Sequence, residues 1–355
     1  MAALGNPPAV TATNTTSTAY DLVAAIGDTW RVNFDSAGNA YTVTILQSQY
    51  GLSGTSAGTS GTFTKTTSGN YTTYTLGTVG TVGTVGTVGT LIVDDRTKAV
   101  SGNMSIGTTT STVAGTGYAA PALNKLAGTY NFAYHTRNAT NGSFPDAGAG
   151  QFTLSADSAG LLNSASIAIC ESSTINAAAT ACTDTNIQLL RGTLSAANGQ
   201  VTVYMMTGQT QPTEFGKLHV HVGDRGPVLL IDRYGLNALN EPRTGALYAA
   251  KAVAATGTEF DGNWSCNSSA GKQGSTAVVS GNTAQVTDTG LAAVTENLYY
   301  NQVYDSVTKQ TLSVPGFLSI GASLVNSNLV LALSSSLAVS EAGNGTDLFV
   351  CHRTN

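Results

Sequence analysis

Two histidines stand two residues apart in the stretch Lys217-Leu218-His219-Val220-His221, and imidazole nitrogens at this spacing can bind a metal ion. Side chains two apart on a β-strand share one face, so both rings would point the same way. A zinc site needs a third protein ligand, for which the candidates are His135, Asp224, Asp232 and Glu214. The alternative is a solvated sheet face that carries Lys217, His219 and His221, with the apolar residues between them on the dry face.

A second candidate is the pair Asp232-Arg233, which follows the apolar run 228–231. A carboxylate and a guanidinium at the end of a buried strand can line a pocket mouth and bind a polar ligand there. The other interpretation is an ion pair at the edge of a sheet.

A third candidate is the tyrosine cluster Tyr299, Tyr300 and Tyr304, which lies among Asn and Gln residues. Tyrosine offers a flat apolar ring together with a hydroxyl group, and both are useful against a sugar or a protein. The cluster therefore indicates a ligand-binding surface. In the alternative interpretation, two of the three rings belong to the core.

Motifs of common catalytic chemistry are absent from the sequence. There is no Gly-x-Ser-x-Gly elbow with ordered His and acid partners, no phosphate-binding loop and no EF-hand. Spacing singles out no pair of carboxylates for glycoside hydrolysis. We therefore expect a protein that is not an enzyme, with a hydrolase on a β scaffold as an alternative. No cofactor is expected, unless the histidine pair holds a metal ion or a metal chelate.

The charge composition excludes two classes of partner. Lys and Arg together number 15 and Asp and Glu 20, which gives a net charge of −5. Nucleic-acid binding and polybasic membrane contact both need clustered cations, which this chain lacks. No run of about 18 apolar residues occurs, so no transmembrane helix is expected.

Four cysteines indicate the compartment. Cys170, Cys182, Cys266 and Cys351 form no CxxC pair, and no histidine lies at zinc-finger spacing from them. We predict the disulfides Cys170–Cys182 and Cys266–Cys351, with buried free thiols as the alternative. Disulfides imply an oxidising location, namely the periplasm, the cell surface or the medium.

The elements that must position these residues are β-strands. Apolar residues alternate with polar ones at 30–34 and 41–45, and again in the hairpin formed by 218–222 and 228–232. Short alternating runs separated by Gly- and Asn-rich turns predict antiparallel barrels or sandwiches. The predicted fold is all-β, with three consecutive modules at 19–116, 120–252 and 256–355. Residues 1–18 are expected to form a flexible tether.

The module starts carry a resemblance to a known group of proteins. Gly262-Asn263-Trp264 and Gly128-Thr129-Tyr130 place a glycine two residues before a large aromatic residue, whereas Gly27 and Trp30 are three apart. This opening resembles that of the calycins, the lipocalin- and avidin-like barrels. The resemblance implies a barrel with an aromatic residue plugging one end. The whole chain also resembles uncharacterised Gly/Thr-rich exported lipoproteins of β-proteobacteria, which implies export and no known activity.

An exact Gly-Thr-Val repeat runs from Gly77 to Val88. A period of three does not match the period of two of a strand, and a glycine at every third position disfavours a helix. We therefore expect a mobile loop over 77–90, outside the core.

Together these features predict an exported, surface-tethered binding or adhesion protein without catalytic activity. Its expected partner is a surface glycan, a protein or a small hydrophobic ligand. The alternative is a carrier that holds a small hydrophobic ligand or a metal chelate inside a barrel, which requires a cavity.

Overall fold

The fold was analysed in a computed structural model of the full chain. It describes residues 17–48, 52, 59–77, 87–96, 98–116, 126–142, 146–156, 162–163, 168–169, 188–194, 201–205, 213–223, 225–236, 241–269, 274–305, 309–341 and 347–354. These residues contain β-strands and no α-helix, which confirms the predicted all-β class. None of the described segments is a helix of the length and apolarity needed to span a bilayer.

The first module is a closed barrel of eight antiparallel strands. It closes because β1 pairs with β8 as well as with β2, with Leu22 opposite Gly115. Trp30 lies on the second strand here, because β1 precedes the glycine–aromatic opening. The strands are β1 Ser17–Ala24, β2 Asp28–Asp35, β3 Ala40–Gln47, β4 Ser60–Ser68, β5 Tyr71–Gly77, β6 Thr87–Asp94, β7 Ala99–Ile106 and β8 Thr109–Thr116.

Large side chains fill the interior of the first barrel. The Phe34 ring stacks on Tyr74 with centroids 4.2 Å apart, and it meets the edge of Phe63 at 5.1 Å. Trp30 is fully buried in the same cluster. The end of the Gly-Thr-Val repeat contributes to this core, because β6 contains Thr87–Thr90 and Val88 is buried. Residues 78–86 of the predicted loop and the predicted tether up to residue 16 lie outside the described residues.

The second module is a nine-stranded sheet in the order β11-β10-β9-β17-β16-β15-β14-β13-β12. Its first strand, β9, pairs with both β10 and β17, so the two ends of the module meet in the middle of the sheet. The strands are β9 Gly128–Asn138, β10 Asp146–Ala156, β11 Leu162–Asn163, β12 Ala168–Ile169, β13 Gln188–Leu194, β14 Val201–Met205, β15 Thr213–Gly223, β16 Gly226–Arg233 and β17 Arg243–Lys251.

The third module is again a closed eight-stranded barrel. Its first strand, β18, pairs with its last strand, β25, and this seam carries a disulfide between the directly opposed residues Cys266 and Cys351. The predicted Cys266–Cys351 bridge is thus confirmed, whereas Cys170 and Cys182 lie outside the described residues. The strands are β18 Gly262–Ser268, β19 Ser275–Ser280, β20 Thr283–Asp288, β21 Val294–Asp305, β22 Gln310–Ser323, β23 Asn326–Ala332, β24 Leu337–Glu341 and β25 Leu348–Arg353.

The middle sheet packs one face against both barrels. A single buried cluster joins Val23 of the first barrel, Leu230 and Tyr248 of the sheet, and Phe317 and Val339 of the third module. The barrels also touch each other, since the Thr112 hydroxyl donates a hydrogen bond to the Ser268 carbonyl at 2.8 Å. The other face of the sheet has its own core around Phe132 and Leu247. The three modules are therefore separate sheets that share a buried interface.

The turn at Gly27 joins the first barrel to the middle sheet. Gly27 has a φ of 93°, which favours glycine, and a Cβ at this position would clash with the Thr244 hydroxyl. Next to it, Thr244 donates a hydrogen bond to the Ile26 carbonyl and Thr29 donates one to Asp232. The glycine in this module opening thus serves a close contact between modules.

Candidate ligand-binding site

The third barrel encloses a cavity of about 520 Å³. Most of its lining is apolar or small, and the lining residues come from all eight strands of the barrel. Pockets of this size and character are typical of small-molecule sites in proteins. The cavity is the feature of the described structure that best fits a ligand.

The cavity exists because several inward-facing positions of this barrel hold small side chains. Ala277, Ala332, Ala338 and Ser340 line it, together with the Cys266–Cys351 disulfide. The first barrel has the same number of strands, but Trp30, Phe34, Tyr41 and Tyr74 are buried in one cluster within it. An eight-stranded barrel is just wide enough to be filled by side chains or to hold one small ligand, and side-chain size decides between the two.

Aromatic residues close one end of the cavity. Phe260, just before β18, stacks on Tyr300 of β21 with ring centroids 6.4 Å apart. The Trp264 indole N–H donates a hydrogen bond to the Phe260 carbonyl at 2.9 Å, and the Tyr300 hydroxyl donates one to the Gly281 carbonyl at 2.7 Å. Burial, with smaller contributions from the nearby carboxylates Asp261 and Glu259, raises the pKa of Tyr300 to about 12. This end is therefore a hydrogen-bonded plug that contains Trp264 of β18, the first strand of the barrel.

The opposite end of the cavity opens between exposed apolar residues. Leu291 and Val294 precede and begin β21, and their exposed fractions are 67% and 54%. Val325, in the turn between β22 and β23, is 59% exposed. Leu291 and Val294 also line the cavity. Apolar side chains thus form part of the rim through which a ligand would enter.

Three carboxylates line the cavity near its open end: Asp288, Glu296 and Glu341. Glu296 lies on β21 between the exposed Val294 and the buried Leu298, so it stands just inside the mouth. Its Oε2 atom is buried and has no hydrogen-bond partner. Among the lining residues that the structure describes there is no Lys, Arg or His. The electrostatics of the mouth are therefore one-sided and negative.

The predicted metal candidates lie elsewhere, at the contact between the first barrel and the middle sheet. His219 is buried there, and burial lowers its pKa to about 4. Asp232, fully buried, accepts the hydrogen bond from Thr29, and burial raises its pKa well above the ordinary range. Glu214 pairs with Lys217 instead. The side chain of His221 and residue Asp224 are not described, and the described residues contain no cluster of three possible metal ligands.

Asp232 and Arg233 point to opposite faces of the sheet, as neighbours on a strand do. The Arg233 guanidinium lies 4.0 Å from the centre of the Phe215 ring and donates hydrogen bonds to the carbonyls of Phe215 and Leu236. Both residues are buried, with Asp232 0% and Arg233 1% exposed. A ligand-binding role for this pair stays a prediction.

The three candidate tyrosines do not form one exposed patch. Tyr300 belongs to the aromatic plug, while Tyr299 and Tyr304 are half-buried on β21. A bulge between Tyr300 and Gln302 shifts the register of this strand against β22. Their role in ligand contact stays a prediction, and the structure gives Tyr300 a second place, at the closed end of the cavity.

Sequence reasoning missed the residues that make the cavity. Their signal is the small residues at alternate positions of β19 (Ser275, Ala277) and β24 (Ala338, Ser340), together with Ala332 on β23. Small residues on a strand usually only lower its β propensity, and they mark a cavity only when barrel closure brings them together.

No protein-family model matches this sequence, and no curated protein matches it. Three solved structures show a weak similarity to this chain, at 10% sequence identity. One is a protein of unknown function from the DUF3598 family of Nostoc punctiforme, with a TM-score of 0.21, covering 66% of this chain and 100% of that one. The others are transferrin binding protein B from Haemophilus parasuis, a vaccine antigen, and from Neisseria meningitidis. The Haemophilus protein has a TM-score of 0.21, and the match covers 95% of this chain and 75% of that one. The Neisseria protein has a TM-score of 0.19, and the match covers 96% of this chain and 76% of that one. Similarities this weak carry no conclusion about ligand or partner.

Proposed function

We propose that this chain is an exported, non-catalytic binding protein whose third barrel carries a small apolar ligand. The observation that supports the proposal is the cavity of about 520 Å³, plugged by aromatic residues at one end and bordered by exposed apolar residues at the other. Of the two non-catalytic functions expected from the sequence, this cavity favours the carrier.

The chemistry of the lining supports binding rather than catalysis. The pocket exposes mainly Ala, Val, Leu, Ile and Phe side chains, which gain free energy by removing apolar surface from water. A hydrolase needs a nucleophile or an activated water beside a general base. The described lining residues offer carboxylates and a few hydroxyl and amide groups without a histidine.

The other two modules pack against the carrier barrel and support it. The first barrel is filled by its own side chains, and the middle sheet buries one face against both barrels. The disulfide at the barrel seam is consistent with an oxidising compartment, as export requires. Tethering at a surface is part of the same proposal and rests on the resemblance to exported lipoproteins.

A fluorescence titration tests the carrier function. N-phenyl-1-naphthylamine, a neutral apolar dye whose emission rises on leaving water, is titrated into the protein. Ala277 lines the cavity on β19, so Ala277→Trp fills the space and should abolish the emission increase. Ala322 is exposed on the same barrel, so Ala322→Trp adds the same side chain outside and should leave binding intact.

Equal dye binding by the two variants would contradict the proposal, because the dye would then not occupy the cavity. Absence of dye binding by the unmodified protein would contradict it too, provided that no ligand remained from purification. A native mass spectrum of the starting material settles that condition, since a retained ligand adds mass that denaturation removes.

A further inference from the structure

We propose that the cavity selects apolar ligands that carry a protonated amine, and that Glu296 is the residue that binds the amine. This inference rests on the carrier function and names its ligand class. Its structural basis is a carboxylate oxygen without a partner, placed between an apolar chamber and a negative mouth.

The first step is the unsatisfied carboxylate. Oε2 of Glu296 is shielded from solvent and accepts no hydrogen bond in the protein. A buried acceptor without a donor costs free energy, and a charged group costs more than a neutral one. A rotation of the side chain that turns this oxygen toward the cavity lets a ligand donor bind it and removes the cost, whereas a wholly apolar ligand leaves the cost in place.

The second step is the sign of the charge. Asp288 and Glu341 lie on the same lining as Glu296, and none of the described lining residues is a Lys, Arg or His. A ligand ammonium group is attracted by all three carboxylates, and its hydrogen bond to Glu296 is charge-assisted, which makes it stronger than a neutral bond. A ligand carboxylate at the same place meets like charges and finds no donor among these three side chains.

The third step is the position of Glu296 along the barrel. Val294 at the rim is exposed, Glu296 comes next on the same face, and the buried Leu298 follows deeper inside. Beyond Leu298, Ala332, Ala338 and Trp264 continue the lining toward the plug. The geometry thus orients the ligand with its apolar body inward and its amine just below the mouth.

A matched series of ten-carbon probes tests the inference. Decylamine, decanol and decanoate have the same chain and differ in the head group, which is cationic, neutral or anionic at pH 7. Their dissociation constants are measured by displacement of N-phenyl-1-naphthylamine from the unmodified protein, from Glu296→Gln and from Asp35→Asn. Asp35 lies at the exposed end of β2 in the first barrel, so its variant removes a carboxylate far from the cavity.

We expect decylamine to bind at least about tenfold more tightly than decanoate, the size of effect that a hydrogen bond to a charged group gives. Glu296→Gln should reduce this preference to less than about threefold. Decanol, whose hydroxyl can donate to the carboxylate or to the amide oxygen, should change its affinity by less than about threefold, which also shows that the variant barrel is folded. Asp35→Asn should behave as the unmodified protein does.

The possible failures are distinguishable. If all three probes bind equally, or decanoate binds best, the carrier function stands and the amine selectivity is refuted. If the preference persists in Glu296→Gln, the assignment to this residue is refuted. If none of the probes displaces the dye and the dye itself does not bind, the carrier function fails and the inference fails with it.

Discussion

The buried imidazole of His219 should make folding stability depend on pH between 7.5 and 5. His219 is 7% exposed at the contact between the first barrel and the middle sheet, and its Nε2 atom has no hydrogen-bond partner. Burial lowers its pKa from 6.5 to about 4, against a smaller opposing effect of Asp21. The cations Arg31 and Lys217 add to the lowering. The folded protein therefore keeps this ring neutral where an unfolded chain would protonate it.

The sign and size of the effect follow from proton linkage. Below pH 6.5 the unfolded chain binds a proton that the folded protein does not, so stability falls as the pH falls toward 4. Each pH unit below 6.5 costs about 1.4 kcal/mol of stability. The loss between pH 7.5 and 5 therefore arises almost entirely below pH 6.5 and is about 2 kcal/mol from His219 alone. His352, buried on β25 with its pKa lowered to about 4, adds a loss of the same sign.

Urea unfolding at both pH values measures the effect, followed by circular dichroism and by tryptophan emission so that a single transition is verified. The comparison is between the unmodified protein and His219→Gln. The pKa of Asp232 is raised by burial, which gives the opposite pH dependence, but this residue is common to both proteins and its effect cancels. We expect His219→Gln to lose about 2 kcal/mol less stability than the unmodified protein on going to pH 5. Equal losses would refute the reasoning that burial at this interface keeps His219 neutral.

Three further predictions concern the third barrel. Replacing Cys266 and Cys351 together by serine should lower the free energy of unfolding by about 4.5 kcal/mol, because in the chain-entropy description the bridge closes a loop of 85 residues. Calorimetry on the unfolding transition of the third barrel measures this loss. A change of less than about 1 kcal/mol would contradict the chain-entropy description. Trp264→Phe removes the hydrogen bond to the Phe260 carbonyl and should lower the free energy of unfolding, measured with urea, by about 1 kcal/mol. An unchanged urea midpoint would contradict this prediction. Ala338→Trp should fill the cavity from β24 and abolish binding of N-phenyl-1-naphthylamine, so retained binding would place the dye elsewhere.

The two barrels show that one strand arrangement can have either a packed interior or an internal cavity. Both have eight antiparallel strands, and both close through their first and last strands. In the first barrel, the buried cluster contains packed aromatic rings. In the third barrel, alanines, serines and a disulfide stand among the Val, Leu and Ile side chains of the lining. Because an eight-stranded barrel leaves only a narrow interior, a few changes from large to small side chains are enough to open it.

The local pattern of the chain determined the strands. Alternating polar and apolar residues, with Gly- and Asn-rich turns between them, predict most of β2, β3, β15 and β16, because a pleated strand buries every second side chain whatever it later packs against. The pairing of Cys266 with Cys351 was predicted from their positions in the sequence, because they stand near the two ends of one module. The strand β1 was missed, because it comes before the glycine–aromatic opening that marked the module start.

Only the tertiary structure decided which faces are buried and where space remains. The strand face that carries Lys217 and His219 reads as a solvated face in the sequence, yet it meets the first barrel, and His219 is buried by contacts distant in the chain. Likewise, Ala277, Glu296 and Ala338 lie on three strands and become neighbours in one cavity only when β18 closes on β25. Alternation is a property of each strand alone, whereas an interface or a cavity depends on which strands barrel closure and module packing bring together.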